Sequence, residues 1–382
     1  MKIMHLSDLH LGKKLLEQSL ILDQEYILNQ IIEIIEDKKV DVVLIAGDIY
    51  DKAIPNVEAV KLFSYFLSKL YQLKVKVLVI SGNHDSKDRL SFGNELFIDN
   101  GVYIEGIFNG ELKKVTFNDD NGILNVYMLP FIKPADVRKY YSDIQIDSYD
   151  DAVSCIINNT KISKNERNII MVHQFVTAGG VDIERCESES LSLGGIDNID
   201  VSIFDDFDYV AMGHIHKGQK LMKDTVRYSG SPLKYSFSEV NHRKSVPVIE
   251  FIDKGNINIE LVDLVPLRDM KIIKGNMDEL LSRDFIKNIN IEDYISVVLT
   301  DEDYIMDAIG KLRSVYKNIL RLEYDNKRTS GNMLNDSKNN IDVKVLSEIE
   351  LFSKFYEVQN NIEISDEKRS IVEQTIEEIK DK

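Results

Sequence analysis

The N-terminal third of the chain alternates short apolar runs with longer segments whose apolar residues recur every three or four positions. Short apolar runs rich in β-branched residues are typical of buried strands, and the three-and-four spacing is typical of amphipathic helices. An alternating order of strands and helices predicts a largely parallel sheet covered by helices. The predicted elements are a strand over 2–6, a helix over 23–37, a strand over 41–46, a helix over 56–72 and a strand over 75–80.

The same pattern continues, in shorter pieces, to about residue 265. Short strands and turns are predicted from about 102 to 130, and helical stretches up to about 160. We therefore expect an α/β fold over residues 1–265, with two sheets packed together between flanking helices. The remaining strands of this region are predicted at 168–172, 208–212, 247–252 and 257–263.

The last third of the chain predicts three smaller pieces. Residues 266–325 contain strand-like ISVVLT, helical DAIGKLRSVY and strand-like ILRLEY, which is the pattern of a small α+β domain. Residues 326–341 are polar and nearly free of apolar anchors, which is typical of a flexible linker. Residues 342–382 predict a helical tail.

The tail consists of two predicted amphipathic helices, each with one apolar stripe. The second helix begins after Ser365, a good N-cap residue, and has acidic residues in its first turn, where the helix dipole favours them. Such helices after a flexible linker need an apolar surface to pack on, either on a partner or on their own domain. The stripes are Leu346, Ile349, Phe352, Phe355 and Tyr356 in the first helix and Ile371, Val372, Ile376 and Ile379 in the second.

Composition is that of an ordinary globular protein, with one qualification about charge. The chain has 382 residues, of which 43% are hydrophobic and 29% are charged. Its formal net charge of −17 argues against simple electrostatic attraction to nucleic acid. A negative net charge is compatible with one basic face, however, and a carboxylate-rich metal site attracts phosphate once divalent cations fill it.

Neither the cysteines nor the apolar runs indicate an exported or membrane-spanning protein. Only Cys155 and Cys186 are present, so we expect neither a disulfide framework nor a thiolate zinc site. The first residues lack the apolar stretch of a signal peptide, and the longest apolar runs are far too short to span a bilayer. We expect a cytoplasmic protein with no membrane partner.

Most of the chemical information lies in the histidines. Five of the seven fall in short polar clusters that directly follow predicted strands. Open α/β sheets bind ligands at the carboxyl ends of their strands, so these clusters can converge in the folded protein. Residues two apart in an extended chain project to the same side, so D-x-H and G-H-x-H can each present two ligands to one site. The five histidines are His10, His84, His173, His214 and His216.

The residues around these histidines indicate a metal centre. Glycines stand directly before Asp48, Asn83 and His214, where they allow tight turns and close approach of the backbone. Carboxylate, imidazole and amide oxygen without thiolate suit Mn²⁺, Fe²⁺ or Zn²⁺ better than softer metals. Each cluster alone can be explained as a turn or as a hydrogen-bonded core histidine. Five of them in order, all after strands, favour one shared site.

The ordered set D-x-H, G-D, G-N-H-D, H and G-H-x-H resembles that of the calcineurin-like metallophosphoesterase superfamily. The resemblance implies a two-sheet sandwich flanked by helices and a two-metal centre that hydrolyses phosphoesters. It implies that Asp48 bridges the two metals. It further implies that Asp8, His10 and His216 hold one metal, and that Asn83, His173 and His214 hold the second.

Two further residues belong to the site that this resemblance implies. His84 matches the histidine that lies beside the reacting phosphate without binding metal, and Asp51 matches the acid that orients it. Two metals about 3.5–4 Å apart can lower the pKa of a bridging water and hold the phosphoryl oxygens. His84 can then protonate the leaving oxygen or stabilise charge on phosphorus. The alternative is a structural residue that supports the ligands from behind.

The flanking segments bear on the substrate. GDIYDKA lacks the Arg and Gly of the protein phosphatases, whereas GNHDSKDRLSFGNELF and VRYSGSPLKYSFSE are similar to the bacterial SbcD family. That resemblance implies a Mn²⁺-dependent double-strand exonuclease and hairpin or single-strand endonuclease. Such a nuclease works as a homodimer with the coiled-coil ATPase SbcC in DNA end processing, repair and recombination. A small-molecule phosphodiesterase or phosphatase on the same fold is the alternative.

The SbcD resemblance also assigns the C-terminal pieces. Residues 266–325 are similar to the family's capping domain, and residues 342–382 are similar to the segment that binds the SbcC coiled coil. The candidates for contacts to DNA are the cations that flank the ligand motifs, although charged loop residues are more often simply solvated. These cations are Lys13, Lys14, Arg89 and Lys217.

Overall fold

A computed structural model describes residues 1–179, 181, 183–189, 197–326, 347–360 and 363–380. The chain divides into two units, Met1–Asp269 and Met270–Lys382, which we call unit 1 and unit 2. Of the helices in these described ranges, none is long and apolar enough to cross a membrane.

The first sheet of unit 1 has six strands. Four neighbouring strands of this sheet run parallel, and two further strands, antiparallel to each other, complete one edge. The central strands are buried along almost their whole length, which explains why their sequences are continuous apolar runs. In order across the sheet the strands are β16 (Asn256–Asp263), β15 (Ser245–Asp253), β1 (Lys2–Leu6), β4 (Val42–Ala46), β5 (Lys76–Ile80) and β6 (Val102–Glu105).

The second sheet of unit 1 also has six strands, and its inner four are parallel. One hydrophobic cluster joins Leu44 and Leu78 of the first sheet to Met171 and Ala211 of the second, so the two sheets pack face to face. In order the strands are β13 (Gln219–Leu221), β14 (Lys223–Tyr228), β12 (Tyr209–Met212), β9 (Arg167–Val172), β8 (Gly122–Leu129) and β7 (Lys113–Asp119).

Helices pack on the sheets of unit 1 through the apolar faces that their spacing predicts. The helix that begins at Val57 is capped by Asn56, whose side chain accepts from the Ala59 amide, and the helix that begins at Tyr149 is capped in the same way by Ser148. The helices are α1 (Ile21–Lys38), α2 (Val57–Gln72), α3 (Lys87–Leu90), α4 (Asn94–Ile98), α5 (Pro134–Arg138) and α6 (Tyr149–Asn158). Two small strand pairs complete the unit, β2 (Lys14–Leu15) with β3 (Gln18–Ser19) and β10 (Val176–Thr177) with β11 (Ile199–Asp200). The predicted two-sheet sandwich is thus confirmed.

Unit 2 contains a three-stranded parallel sheet with its own hydrophobic core. The strands are β17 (Met270–Gly275), β18 (Tyr294–Leu299) and β19 (Asn318–Tyr324), and the short helices between them are α7 (Met277–Leu280), α8 (Arg283–Ile286) and α9 (Ala308–Arg313). Two helices follow in the tail, α10 (Glu348–Asn360) and α11 (Asp366–Lys380). The predicted linker over 326–341 lies outside the described residues except for Asn326, and so does Leu346 of the predicted stripe.

The hydrophobic pattern does not predict β13 and β14. Their sequences, QKL and KDTVRY, are largely polar, because β13 lies at the edge of the second sheet and the first two of the six residues of β14 are solvent-exposed. Strands of this kind lack both the long apolar run and the clean alternation on which sequence prediction depends.

Candidate metal centre

The predicted ligand residues follow five strands that lie next to one another within the two packed sheets. Asp8 and His10 follow β1, Asp48 follows β4, and Asn83 follows β5. In the second sheet, His173 directly follows β9, and the two histidines of the G-H-x-H motif come after β12. The structure therefore brings all seven predicted ligand residues to one edge of the sandwich, as the strand-end argument predicts.

One group of these residues, which we call site 1, consists of Asp8, His10 and His216 together with Asp48. The Nε2 atoms of His10 and His216 lie 3.0 Å apart, and His10 Nε2 lies 3.6 Å from Oδ2 of Asp48. Ligand atoms of Asp8, His10 and His216 all lie within 4.8 Å of one another. All of these side chains are buried.

A second group, site 2, consists of Asn83, His173 and His214 together with the same Asp48. The amide oxygen of Asn83 lies 3.1 Å from His173 Nε2 and 3.0 Å from His214 Nδ1. His173 Nε2 also lies 3.3 Å from Asp48 Oδ2. The same carboxylate oxygen of Asp48 thus stands beside an imidazole nitrogen of each site.

The hydrogen bonds of the rings fit the binding of divalent cations. His173 Nδ1 donates to the carbonyl oxygen of Ala46 at 2.7 Å, so a neutral His173 ring turns the lone pair of Nε2 toward the oxygen of Asn83. In site 1, two imidazole nitrogens face each other at 3.0 Å in a buried place. Lone pairs directed at one another without water repel unless a proton or a cation lies between them. The residues present therefore fit a pair of divalent metal ions.

The backbone at the predicted ligands is held in an uncommon conformation. Asp8, His10, Asp48 and His214 have positive φ angles of 53°, 44°, 51° and 96°. Residues other than glycine rarely adopt positive φ angles, and local backbone strain of this kind concentrates at functional sites. Main-chain hydrogen bonds fix these turns, because the amides of Asp8 and His10 donate to the carbonyl oxygens of Gly47 and Asp48.

Glycines make the approach of the loops possible, as the sequence predicts. A Cβ atom on Gly47 would lie 2.2 Å from His173 Nδ1, and one on Gly82 would lie 2.1 Å from Asp48 Oδ1. A Cβ atom on Gly213 would lie 2.0 Å from the carbonyl oxygen of Ala46. No side chain fits at these distances, so the three loops can meet only because these positions carry none.

A buried network of side chains supports His216 from behind. Its Nδ1 lies 2.7 Å from the hydroxyl oxygen of Ser188, which itself donates to Glu239 at 2.6 Å. The ammonium group of Lys244 donates to Glu239 at 2.6 Å and to the carbonyl oxygen of His216 at 2.8 Å. Because the hydroxyl proton of Ser188 goes to Glu239, its oxygen accepts from His216 Nδ1, and Nε2 is left to face site 1.

The charges of this network are balanced. Burial by itself would raise the pKa of Glu239, but the neighbouring ammonium group of Lys244 and the ring of His216 hold it well below its usual range. Glu189 supports the same loop, since its carboxylate accepts from the backbone amide of His216 at 2.8 Å. Burial raises the pKa of Glu189.

A second buried pair, Gln24 and Tyr235, supports the loop of His10. The amide group of Gln24 donates to the carbonyl oxygen of His10 at 2.7 Å, and its oxygen accepts from the backbone amide of Gly12 at 2.9 Å. The hydroxyl group of Tyr235 donates to the carbonyl oxygen of Leu9, and its ring packs edge-on against that of His10.

Sequence reasoning missed this supporting layer. Tyr235 and Glu239 lie in the VRYSGSPLKYSFSE segment, whose resemblance to the SbcD family was the available signal. Gln24 and Ser188 lie in stretches that carry no comparable signal.

His84 lies beside both sites. Its backbone amide donates to Asp48 Oδ1 at 2.9 Å, which leaves Asp48 Oδ2 for the two sites. Its ring meets that of His10 edge-on, with 4.9 Å between the centroids. Its Nδ1 donates to the main-chain carbonyl oxygen of Asp51 at 2.9 Å, whereas the carboxylate of Asp51 pairs with Lys13 at 2.7 Å. The expected contact between Asp51 and His84 is thus present, but in this hydrogen bond it is made by the main chain.

The cations proposed from the sequence occupy four different surroundings. Lys13 is paired with Asp51, and Lys217 is paired with Glu184. Arg89 lines a largely apolar cavity of about 670 Å³ beside α2, and Lys14 is exposed in the β2–β3 hairpin. None of these four positions by itself indicates a contact to a phosphate.

The two sites differ in the protonation of their imidazoles in the metal-free chain. Burial disfavours charge on His173, but the neighbouring carboxylate of Asp48 outweighs it and raises the pKa of His173 to about 9. Burial lowers the pKa of His10 well below its ordinary value. Burial and the neighbouring His173 lower the pKa of His214 to about 3. In the metal-free chain, the protonated ring of His173 is thus the positive charge beside Asp48 in site 2, and a metal ion can take the place of its proton.

Comparisons with known proteins agree with this geometry. Residues 1–218 match the calcineurin-like phosphoesterase family, and residues 266–360 match the family described as the type 5 capsule protein repressor C-terminal domain. The chain is 35% identical over 326 residues to the SbcD component of nuclease SbcCD from Staphylococcus epidermidis, and the match covers 84% of this chain and 85% of that protein.

A solved structure, that of a dimetal phosphatase from Danio rerio, is also similar to part of the chain. Its sequence is 12% identical, the match covers 69% of this chain and 96% of the other, and the TM-score is 0.42. The assignment to a family depends on the sequence matches instead. By those matches, the chain belongs to the SbcD family of calcineurin-like phosphoesterases.

Proposed function

We propose that this chain is the nuclease component of an SbcC–SbcD type complex and hydrolyses DNA phosphodiesters with two Mn²⁺ ions bound at sites 1 and 2. The observation that carries the proposal is the position of Asp48 Oδ2, 3.6 Å from a nitrogen of site 1 and 3.3 Å from a nitrogen of site 2. Metal ions bound there would lower the pKa of a water and offset the charge of the phosphoryl group.

The seven converging residues have distinct roles in this proposal. Asp8, His10 and His216 hold one ion, Asn83, His173 and His214 hold the other, and Asp48 contacts both. Only two of the seven are carboxylates, so the loaded site keeps a positive charge that attracts a phosphodiester. This local charge explains how a chain with a net charge of −17 can act on DNA.

His84 is the proposed general acid. Its Nδ1 donates to the carbonyl oxygen of Asp51, so a second proton on the ring is carried by Nε2. That proton can pass to the oxygen that leaves when the phosphodiester is cleaved. The carbonyl contact and the edge-on packing against His10 hold the ring in one orientation.

The test uses purified chain, Mn²⁺, a blunt DNA duplex and a DNA hairpin. We expect nucleotide release from the duplex and cleavage of the hairpin, both nearly abolished in His84→Ala while the metal content stays at two ions per chain. Loss of metal from that variant would give His84 a supporting role instead. Hydrolysis of small phosphodiesters or phosphomonoesters, with DNA untouched even when the ATPase partner is present, would establish the alternative activity and contradict the nuclease proposal.

The ATPase partner is proposed to bind the tail. Helices α10 and α11 expose apolar side chains, with Phe355 61% and Ile371 59% exposed. Exposed apolar stripes of this kind are typical of helices that pack in a groove of another protein. We expect co-purification with an SbcC-type coiled-coil ATPase, and loss of it when residues 342–382 are removed. In the same assignment residues 266–325 form the capping domain and residues 1–265 the nuclease domain.

A homodimer is the proposed assembly of the nuclease domain. Around α2 and α4, unit 1 exposes a group of large apolar side chains that includes Phe92, 85% exposed, and Leu96, 77% exposed. Apolar groups concentrated on one face are common at interfaces between protomers. Light scattering of the purified chain should give the mass of a dimer, and Leu96→Glu should give the mass of a monomer. An unchanged mass in the variant would place the interface elsewhere.

A further inference from the structure

The segment of residues 184–189 contacts His216 of site 1 and, through Arg185, the ring of Phe175 beside His214 of site 2. Its backbone is tied to β13, because the amide and carbonyl groups of Glu184 bond the side chain of Gln219 at 3.2 and 2.9 Å. At its other end, Ser188 contacts the ring of His216 and Glu189 contacts the amide of His216. The residues between these anchors therefore have a defined position beside the centre.

Arg185, within this segment, stacks on an aromatic ring at site 2. Its guanidinium carbon lies 3.7 Å from the centre of the ring of Phe175, which is a cation–π contact. The ring of Phe175 is buried and lies 6.3 Å from that of His214, measured between centroids. The guanidinium carbon of Arg185 therefore lies at most about 10 Å from the centre of the His214 ring, because the sum of these two distances is the upper limit of that separation.

The ring of Phe175, on which Arg185 stacks, belongs to a segment that hydrogen bonds hold in place. Val176, the next residue, is bonded through both its amide and its carbonyl group to the hydroxyl group of Tyr228, at 2.7 and 2.8 Å. The carbonyl oxygen of Phe175 accepts from the backbone amide of Ile199 at 2.9 Å. A guanidinium stacked on a rigid ring loses little rotamer freedom when it binds an anion.

The charge of Arg185 is available to a ligand. Within the described part of the chain, no carboxylate lies within 4 Å of its guanidinium, whereas Lys13 and Lys217, also beside the centre, are paired. The side chain is exposed, so its N–H groups can reach a bound molecule.

We propose that Arg185 binds a phosphate of the DNA strand next to the phosphate that is cleaved. Along one strand of a duplex, successive phosphates are about 3.4 Å apart in the direction of the axis. The bound of about 10 Å between Arg185 and the ring of His214 is therefore the scale of one to three nucleotides. A planar guanidinium binds phosphate oxygens through two parallel N–H groups. The inference rests on the proposed nuclease function, and it assigns a residue that favours polynucleotides over small diesters.

The experiment compares Arg185→Gln with wild type on two substrates in the presence of Mn²⁺. One substrate is a DNA duplex, and the other is bis(4-nitrophenyl) phosphate, a diester with no second phosphate. We expect kcat/KM for DNA to fall about tenfold more than kcat/KM for the small diester, which is the usual scale of one charge-assisted hydrogen bond. The slope of log KM against log salt should decrease by about 0.9, because one phosphate contact is lost.

Two further variants and one modified substrate sharpen the result. Arg185→Lys keeps the charge but loses the planar fork, so it should lie between wild type and Arg185→Gln. Arg243→Gln removes an exposed arginine that is paired with Asp263, and it should match wild type on both substrates. A neutral methylphosphonate beside the cleaved bond should slow wild type and cause no additional loss in Arg185→Gln.

The outcomes separate this inference from the function on which it rests. Equal losses on both substrates would make Arg185 a structural residue, and an unchanged DNA rate in Arg185→Gln would mean that it does not contact DNA. Either result overturns the inference and leaves the nuclease proposal standing. If wild type hydrolyses neither substrate, the proposed function itself is wrong and the inference falls with it.

Discussion

Sites 1 and 2 share Asp48 but are supported in different ways. Site 1 depends on the side chains of other residues, namely the Ser188–Glu239–Lys244 network behind His216 and Gln24 behind His10. Site 2 depends on main-chain groups and on glycines, because the ring of His173 bonds the carbonyl of Ala46 and packs where Gly47 and Gly213 have no Cβ. Site 1 can therefore be weakened gradually by changing its supports, whereas site 2 tolerates almost no change of shape.

The largest effect is expected from the residue that both sites share. Asp48→Asn keeps the size of the side chain but removes the charge beside His10 and His173. We expect both ions to be lost and kcat to fall about 10³-fold or more, the scale seen when a charge-stabilising group is removed from a reacting centre. Metal analysis and DNA cleavage measure the two effects, with the exposed Asp263→Asn as the control. Retention of one full-strength ion would show that Asp48 serves a single site.

The next effect is confined to site 2 and to the fold around it. Gly47→Ala places a Cβ 2.2 Å from His173 Nδ1 and strains a backbone with φ of +88°. We expect the free energy of unfolding to fall by about 2–5 kcal/mol, from overpacking and from the left-handed conformation together. Urea denaturation measures the change, and Mn²⁺ binding at site 2 should be lost with it.

Gly122→Ala is the matched control for this substitution. Gly122 has a similar φ of +96°, but a Cβ there has no atom within 4 Å. Its cost is that of the backbone conformation alone, about 1–2 kcal/mol. If Gly47→Ala cost no more than Gly122→Ala, close packing against His173 would not be what limits site 2.

A smaller effect, confined to site 1, is expected from Glu239→Gln. The change removes the charge that holds Lys244 and Ser188 behind His216 and leaves all seven predicted ligand residues in place. Glu239 itself lies 3.8 Å from Nδ1 of His216, on the side of the ring away from site 1. Removing such a supporting group commonly weakens metal binding about 10–100-fold. Mn²⁺ titration followed by electron paramagnetic resonance, which distinguishes single from paired ions, should show site 2 filled before site 1. Equal weakening of both sites would mean that the network supports the whole centre.

The same variant has a predicted dependence on pH. The pKa of Glu239 is depressed in the folded chain, so its stabilising contribution is present above the ordinary glutamate pKa of about 4.3. The contribution is lost as the pH falls further. The difference in stability between wild type and Glu239→Gln should therefore shrink in acid.

The difference between the two kinds of support also explains what the sequence could predict. The convergence of the predicted ligand residues was predictable, because each follows a strand and strand ends meet at one edge of the sandwich. The need for glycine before Asp48, Asn83 and His214 was also predictable, because a tight turn directly after a strand leaves little room for a side chain. Their assignment as ligands stays a prediction.

Other contacts could not be read from local pattern. Ser188 meets Glu239 across 51 positions of sequence, and Gln24 meets Tyr235 across 211, so these pairs exist only after the chain has folded. The same holds for Arg185, whose position on Phe175 depends on how two loops pack. The role of Asp51 in orienting His84 stays a prediction, and local pattern could not indicate that the main-chain carbonyl of Asp51 accepts the described hydrogen bond from His84.

The smallest expected effect concerns the protonation of the histidines in the two sites. In the metal-free chain the carboxylate of Asp48 outweighs burial and raises the pKa of His173 to about 9, whereas burial keeps the pKa of His10 low. The stabilisation that a protonated His173 provides is fully present below its unfolded pKa of about 6.5 and is lost as the pH rises through about 9.

An ion that binds at site 2 must displace the proton of His173, since a metal ligand is neutral imidazole. Between pH 7 and 8 we therefore expect the Mn²⁺ affinity of site 2 to rise about tenfold, while the ring of His10 adds no such dependence to site 1. Calorimetry in two buffers of different ionisation enthalpy counts the protons released, and it should find close to one from His173 at about pH 7.5. The Asp48→Asn variant removes the cause of the raised pKa, so its apo form should show a neutral His173 by NMR of labelled histidine. A charged ring in that variant would mean that the proton on His173 is held by something other than Asp48.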